Sequence, residues 1–332
     1  MEYERSEEFY KATGEDVEAN TADVEEIVKY ESEIGPIEVK SKIFLPEIEE
    51  GTEKPESNSA IIFLPGYGVE AGYDSVAELN QSLAKYSNEK TYSISTRTDE
   101  IDKSIPSINK LSSLHYEAQA IVNFIKDKGL DKIKLAGYSQ GGAKAAEVAL
   151  IIQQEHPEIN IDGGLILYDS TGIAEQSATK LKRNFVKDAL LTPPGKKPIR
   201  AALDILFTAI KEAGKSNTKF FDRITRDTEA MSGLSAALEQ LKIPVVLVQG
   251  EKDAVSDINE IIPDADALEN DREGYLRDTI FINSPYVRMI IGKRDSRHGM
   301  PTYRSDEVAK TALYLLQRFH RKKQSNTPES NQ

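Results

Sequence analysis

The 332-residue sequence contains no cysteine, which excludes a disulfide framework, a thiolate metal site and a cysteine nucleophile together. It has only four histidines, His115, His156, His298 and His320, so any imidazole base is one of four. No apolar run approaches the roughly 20 residues that span a bilayer, and the opening MEYERSEEFY lacks the basic, apolar, small-residue order of a secretory signal. A soluble, cytoplasmic protein with no transmembrane segment is therefore expected. Positive charge is also scarce: 42 Lys and Arg against 55 Asp and Glu leave a net −13. That balance opposes phosphate backbones, and no nucleic-acid partner is expected. No metal-binding histidine pair, nucleotide-binding glycine loop or Walker sequence is found, so neither a metal nor an organic cofactor is expected.

What is present divides into segments. Residues 1–23 are acidic and aperiodic, and 321–332 (RKKQSNTPESNQ) have the composition of a flexible tail. Between them short apolar runs alternate with segments of helical period, the pattern of an α/β sheet layered by helices. Two runs that alternate apolar and polar residues, 24–30 and 37–45, predict a half-exposed antiparallel ribbon. Six more continuously apolar runs, at 60–64, 91–96, 132–137, 164–169, 245–250 and 286–292, suit strands buried on both faces of a mostly parallel sheet.

Helical stripes are predicted at 75–86, at 113–128 with Gly129 as C-cap, at 141–155, and after Pro301 through Val308, Ala312, Leu315, Leu316 and Phe319. Residues 171–240 contain no convincing strand, and some 70 residues is too long for an ordinary connection, so a helical insertion is expected there. The core then comprises 24–170 and 241–320. Within the insertion, 180–200 carries seven basic residues against Asp188. Such an island suits either a solvated helix face or an attraction to anions.

The most informative stretch is 133–143, IKLAGYSQGGA. A strand pattern ends in Gly-Tyr-Ser-Gln-Gly and a helix pattern follows. A serine hydroxyl is a poor nucleophile unless a base removes its proton, a further group orients that base, and donors await the oxyanion. A sharp strand-to-helix turn exposes Ser139 and leaves the Gln140 N–H at a helix N-terminus, where negative charge is stabilised. The five residues alone are weak evidence, because a glycine turn needs the same glycines.

Together with IIFLPGYG at 61–68, IPVVLVQGEKD at 243–253 and SRHGMP at 296–301, the elbow LAGYSQGG at 135–142 resembles the α/β-hydrolase superfamily over roughly residues 24–320. The resemblance implies a serine hydrolase cleaving an ester, thioester or amide of a small molecule, with the 171–240 insertion as a cap over the site. It implies Ser139 as nucleophile and His298 as base. It places the acid at Asp253, with Asp169 as an alternative because some relatives carry the acid after the earlier strand; Asp257 reads as a turn former or helix cap. The backbone N–H groups of Tyr67 and Gln140 are the implied oxyanion hole, with Pro65 where the family often has histidine. Phe185, Leu190, Leu191, Leu206, Phe207 and Ile210 are candidates to line an acyl pocket or to pack the cap. The 45 residues between Asp253 and His298 exceed the family's usual spacing, and the acidic 263–278 reads as a surface insertion. A surface-active lipase, an acyltransferase and a non-catalytic binding protein of the same fold are the alternatives. The number of subunits is not legible.

Overall fold

The structure, a computed structural model, describes residues 25–47, 58–66, 71, 74–97, 112–161, 163–174, 176–177, 179–181, 183–184, 187, 234–292, 296–298 and 300–325. Among them are strands β1 (Glu25–Tyr30), β2 (Ile37–Phe44), β3 (Ser59–Leu64), β4 (Lys90–Arg97), β5 (Lys132–Tyr138), β6 (Leu165–Tyr168), β7 (Val245–Gly250) and β8 (Val287–Gly292). They form one sheet in the order β1-β2-β4-β3-β5-β6-β7-β8. The pairs β1–β2 and β2–β4 are antiparallel, and every other pair is parallel. Each of the eight expected strands is present with its ends within two residues, and the first two form the expected ribbon.

Strand residues alternate between two cores, as a period of two requires. Leu135, Leu165, Leu167, Val245 and Leu247 face one side, where they meet Ile121, Phe124 and Ile125 of helix α2 (Ser112–Asp127) and Val148 and Ile152 of α3 (Gln140–Glu155). Ile61, Phe63, Ile166, Val246 and Val248 face the other side. There they meet Val76, Leu79 and Leu83 of α1 (Asp74–Ser87), and Val308, Ala312 and Leu316 of a closing helix at Ser305–Ser325. Helix α2 ends as its sequence predicts. Gly129 takes φ +63°, its N–H reaches the Lys126 carbonyl at 2.9 Å, and the Leu130 N–H reaches that of Ile125 at 3.1 Å. This satisfies carbonyls that the helix end would otherwise strand.

Two expectations need correction. The closing helix continues to Ser325, five residues into the stretch read as a tail. The acidic 263–278 is not only a surface insertion: Ala265–Asn270 and Arg272–Thr279 are helices, N-capped by the carboxylates of Asp264 and Asp271. Leu276 and the following Phe281 are fully buried in the main core. Helices of six and eight residues are too short to display a periodic stripe, which is why the sequence pattern hid them. The second helix also covers the edge strand β8, where Glu273 pairs with Arg288 and accepts from the Met289 N–H at 3.3 Å.

Residues 1–23 and most of 171–240, including Phe185, Leu190, Leu191, Leu206, Phe207, Ile210 and nearly all of the basic 180–200 stretch, lie outside the described residues. The start of the second segment is held: Ile173 and Leu181 are buried in the core. Lys180 pairs with Glu260 at 2.7 Å, and the Gln176 amide donates to the same carboxylate at 2.8 Å.

Truncating Leu276 to alanine removes a side chain with no exposure, so stability should fall by about 2–4 kcal/mol, read from the midpoint of urea unfolding. A loss within about 0.5 kcal/mol, usual for surface changes, would return 263–278 to the status of a surface insertion.

Candidate active site

Three stretches of chain converge at the C-terminal ends of β5, β6, β7 and β8. Ser139 follows β5 directly and precedes α3, with φ +55° and ψ −123°. This backbone is costly for a residue with a Cβ, of order 1–3 kcal/mol, and neighbours hold it in place. The Ser139 N–H donates to the Tyr168 carbonyl at 2.9 Å, and the Ser139 carbonyl accepts from Gly142 at 3.0 Å and Thr171 at 3.2 Å. The flanking glycines are required by close approach. A Cβ on Gly137 would strike the Gly141 carbonyl, and one on Gly141 would strike that of Leu64. The loop leaving β3 passes over the same point, since a Cβ on Gly66 would lie 3.0 Å from that of Ser139.

The turn after β7 carries Asp253, which is buried at 3% exposure. Its Oδ1 accepts from the backbone N–H groups of Val255 at 2.7 Å and Ser256 at 3.0 Å. Its Oδ2 accepts from the Gln249 amide at 3.0 Å and lies 3.0 Å from His298 Nδ1. The other ring nitrogen, Nε2, lies 2.8 Å from Ser139 Oγ. The long gap between Asp253 and His298 closes because the loop after β8 docks on the turn after β7, where the Lys252 N–H donates to the Ser296 carbonyl at 2.8 Å. Serine, histidine and acid thus form one continuous hydrogen-bonded chain at Ser139, His298 and Asp253.

No protein-family model matches the sequence, and no curated protein does. Solved structures do match. A probable hydrolytic enzyme from Pseudomonas aeruginosa is 15% identical, with 93% of this chain and 95% of that chain covered and a TM-score of 0.53. An esterase from Pyrococcus furiosus is 14% identical over 90% and 94% of the two chains, with a TM-score of 0.53. An esterase from Pyrobaculum calidifontis is 14% identical over 90% and 85%, with a TM-score of 0.51. The chain has the α/β-hydrolase fold.

On that fold the remaining candidates sort clearly. Gln140 opens α3, so its backbone N–H stands at the helix N-terminus beside Ser139. Tyr67 lies outside the described residues, one position beyond Gly66. Asp257 caps the short helix Ile258–Ile261, accepting from the Asn259 N–H at 2.9 Å, as its turn-former reading expected. Asp169 directly follows β6, has no exposure and accepts from the Gly250 N–H at 2.7 Å. One donor atom each from Asp169, Asp253 and His298 lie within 4.8 Å of one another, a spacing a divalent cation would accept. Both ring nitrogens of His298 are already directed at Asp253 and Ser139, so the arrangement fits a proton relay better than a metal site.

Two supporting residues escaped the sequence reading. Gln249 is a buried amide at the end of an otherwise apolar strand, and that polarity was the available signal. It bridges Asp253 to the Ser256 carbonyl at 2.5 Å. Tyr138 packs its ring on His298, with centroids 5.5 Å apart, and donates its hydroxyl to the His298 carbonyl at 2.9 Å. Its position beside the serine carried no such hint.

His115 and His156 play local parts. His115 Nδ1 lies 2.8 Å from Glu147, whose hydrogen bond raises its pKa above the ordinary 6.5 while partial burial opposes the rise. A raised folded value stabilises fully below 6.5 and loses that contribution as pH climbs through the raised value. His156 lies 3.2 Å from Glu158 at the surface.

Two measurements test this description. Ser139→Gly should raise stability by about 1 kcal/mol, strain relief exceeding the entropy cost of glycine, as an upward shift in denaturant midpoint. Glu147→Gln should move the NMR titration of His115 to lower pH; an unmoved midpoint would show that the carboxylate does not act on it.

Proposed function

We propose that this protein is a serine hydrolase that cleaves a carboxylic ester through an acyl-enzyme. The observation that carries the reading is the relay from Ser139 Oγ to His298 Nε2 at 2.8 Å and from His298 Nδ1 to Asp253 at 3.0 Å, set on a strained turn. A serine that served only as a turn would need neither partner. A non-catalytic protein of this fold would have no use for an unbroken relay whose acid is held by four donors.

In this reading His298 accepts the hydroxyl proton as Ser139 Oγ attacks the carbonyl carbon, and the imidazolium is stabilised by Asp253. The tetrahedral oxyanion is held by the Gln140 N–H at the start of α3 and by the Tyr67 N–H. Gly66 running beside Ser139 is what supports the second assignment. Collapse of the intermediate breaks the C–O bond to the leaving alcohol, which takes the proton back from His298. A water then attacks the acyl carbon, gives its proton to His298, and frees the acid and Ser139. Ester rather than amide is chosen because the fold relatives from Pyrococcus furiosus and Pyrobaculum calidifontis are esterases. Acyl-chain preference would be set by 171–240. No helix among the described residues is long and apolar enough to cross a membrane.

A fluorophosphonate probe should label the wild type at a single serine. Ser139→Ala should abolish labelling, and His298→Ala should slow it by about 10³-fold or more. An unlabelled wild type, or labelling that survives Ser139→Ala, would sink the proposal. Hydrolysis of p-nitrophenyl esters of graded length then measures the acyl preference.

A further inference from the structure

We propose that His298 is served by two carboxylates: Asp169 supports the imidazolium alongside Asp253, and takes over as its orienting partner when Asp253 is neutralised. This rests on the serine-hydrolase reading and extends it to a positioning residue on a different strand.

Three observations converge on Asp169. It is fully buried, and its carboxylate lies within 4.8 Å of both a carboxylate oxygen of Asp253 and a ring nitrogen of His298. A hydrogen bond needs about 3 Å, so a shift of roughly 2 Å or less brings it onto the ring. Its backbone has φ +42°, a left-handed conformation in which asparagine and glycine sit at least as easily as aspartate. The hydrogen bond it accepts from the Gly250 N–H at 2.7 Å needs only a carbonyl-type acceptor. An asparagine would therefore satisfy the turn and the Gly250 N–H without placing a second carboxylate in a buried site beside the first. Two carboxylates this close repel one another, and a positive charge beside both relieves that repulsion. The histidine within reach of both is the group that gains when it takes up a proton.

The two acids reach the same ring from different strands. Asp253 hangs from the turn after β7 and is tied down by Gln249, Val255 and Ser256. Asp169 hangs from the end of β6 and is anchored on Gly250, the last residue of β7. Because Gly250 also meets the His298 loop, where a Cβ on it would lie 2.8 Å from the Ser296 carbonyl, the second acid is fixed to the same frame as the base.

The test is a double-mutant cycle on the rate of fluorophosphonate labelling, using Asp169→Asn, Asp253→Asn and the double variant. Asp169→Asn alone should slow labelling about threefold, Asp253→Asn about 30-fold, and the double variant about 10⁴-fold, the loss expected when no carboxylate remains to set the tautomer. Imidazole ¹⁵N spectra give a second reading. His298 should carry its proton on Nδ1 in the wild type and in Asp253→Asn, and on Nε2 in the double variant. If Asp253→Asn is already as slow as the double variant, with the proton on Nε2, the proposal is overturned. It is also overturned if Asp169→Asn slows the wild type and Asp253→Asn by the same factor, as a purely structural role would. Should Asp169→Asn not fold, Asp169→Gly repeats the cycle with another residue at ease at positive φ. A wild type that does not label at all would instead indict the hydrolase reading, so the two failures are distinguishable.

Discussion

The backbone of Ser139 is the constraint on which the rest of the architecture depends. Its φ of +55° is tolerable only because β5, β6 and α3 grip the turn from three sides, and those elements come together only if Gly137 and Gly141 have no side chains. The turn brings α3 in so close that Gly141 meets the end of β3, which in turn carries the loop beside the serine. Sheet packing, helix placement and the aim of the hydroxyl at His298 are thus consequences of one local geometry.

His298 and Asp253 arrive by a different principle. Neither is held by regular structure; each sits in a turn or loop after a strand, and the two are bound to each other through backbone hydrogen bonds between 250–253 and 292–296. Gln249 and Tyr138 supply what the loops lack. One orients the carboxylate, and the other fixes the histidine by its ring and by its own backbone carbonyl. The first part of the 171–240 segment adds a tie from outside, gripping Glu260 on the helix just beyond the acid's turn.

The strands were legible because buried parallel strands are short apolar runs bounded by turn residues, and all eight could be read as such. The elbow was legible because its glycines are sterically required in a row. His298 and Asp253 were legible only through resemblance, since no local pattern links residues 45 apart. The helices at 265–279 were missed for a physical reason. Their stability comes from the Asp264 and Asp271 caps and from Leu276 with Phe281, not from a repeated stripe. The nearness of Asp169 to His298 was likewise legible only through resemblance, because it follows from the adjacency of β6 and β7, a three-dimensional fact.

The relay joins residues separated by 159 and 45 positions, and that spacing has a consequence in time. Contacts between distant parts of a chain form late, after loop-closure entropy has been overcome. Until β7 and β8 have joined the sheet, the chain carries an ordinary serine with no base within reach. On the proposed reading, reactivity at Ser139 is therefore among the last properties acquired in folding. In the proposed hydrolase an incomplete or misfolded chain would be chemically inert, and a reactive serine would report that the whole sheet has closed.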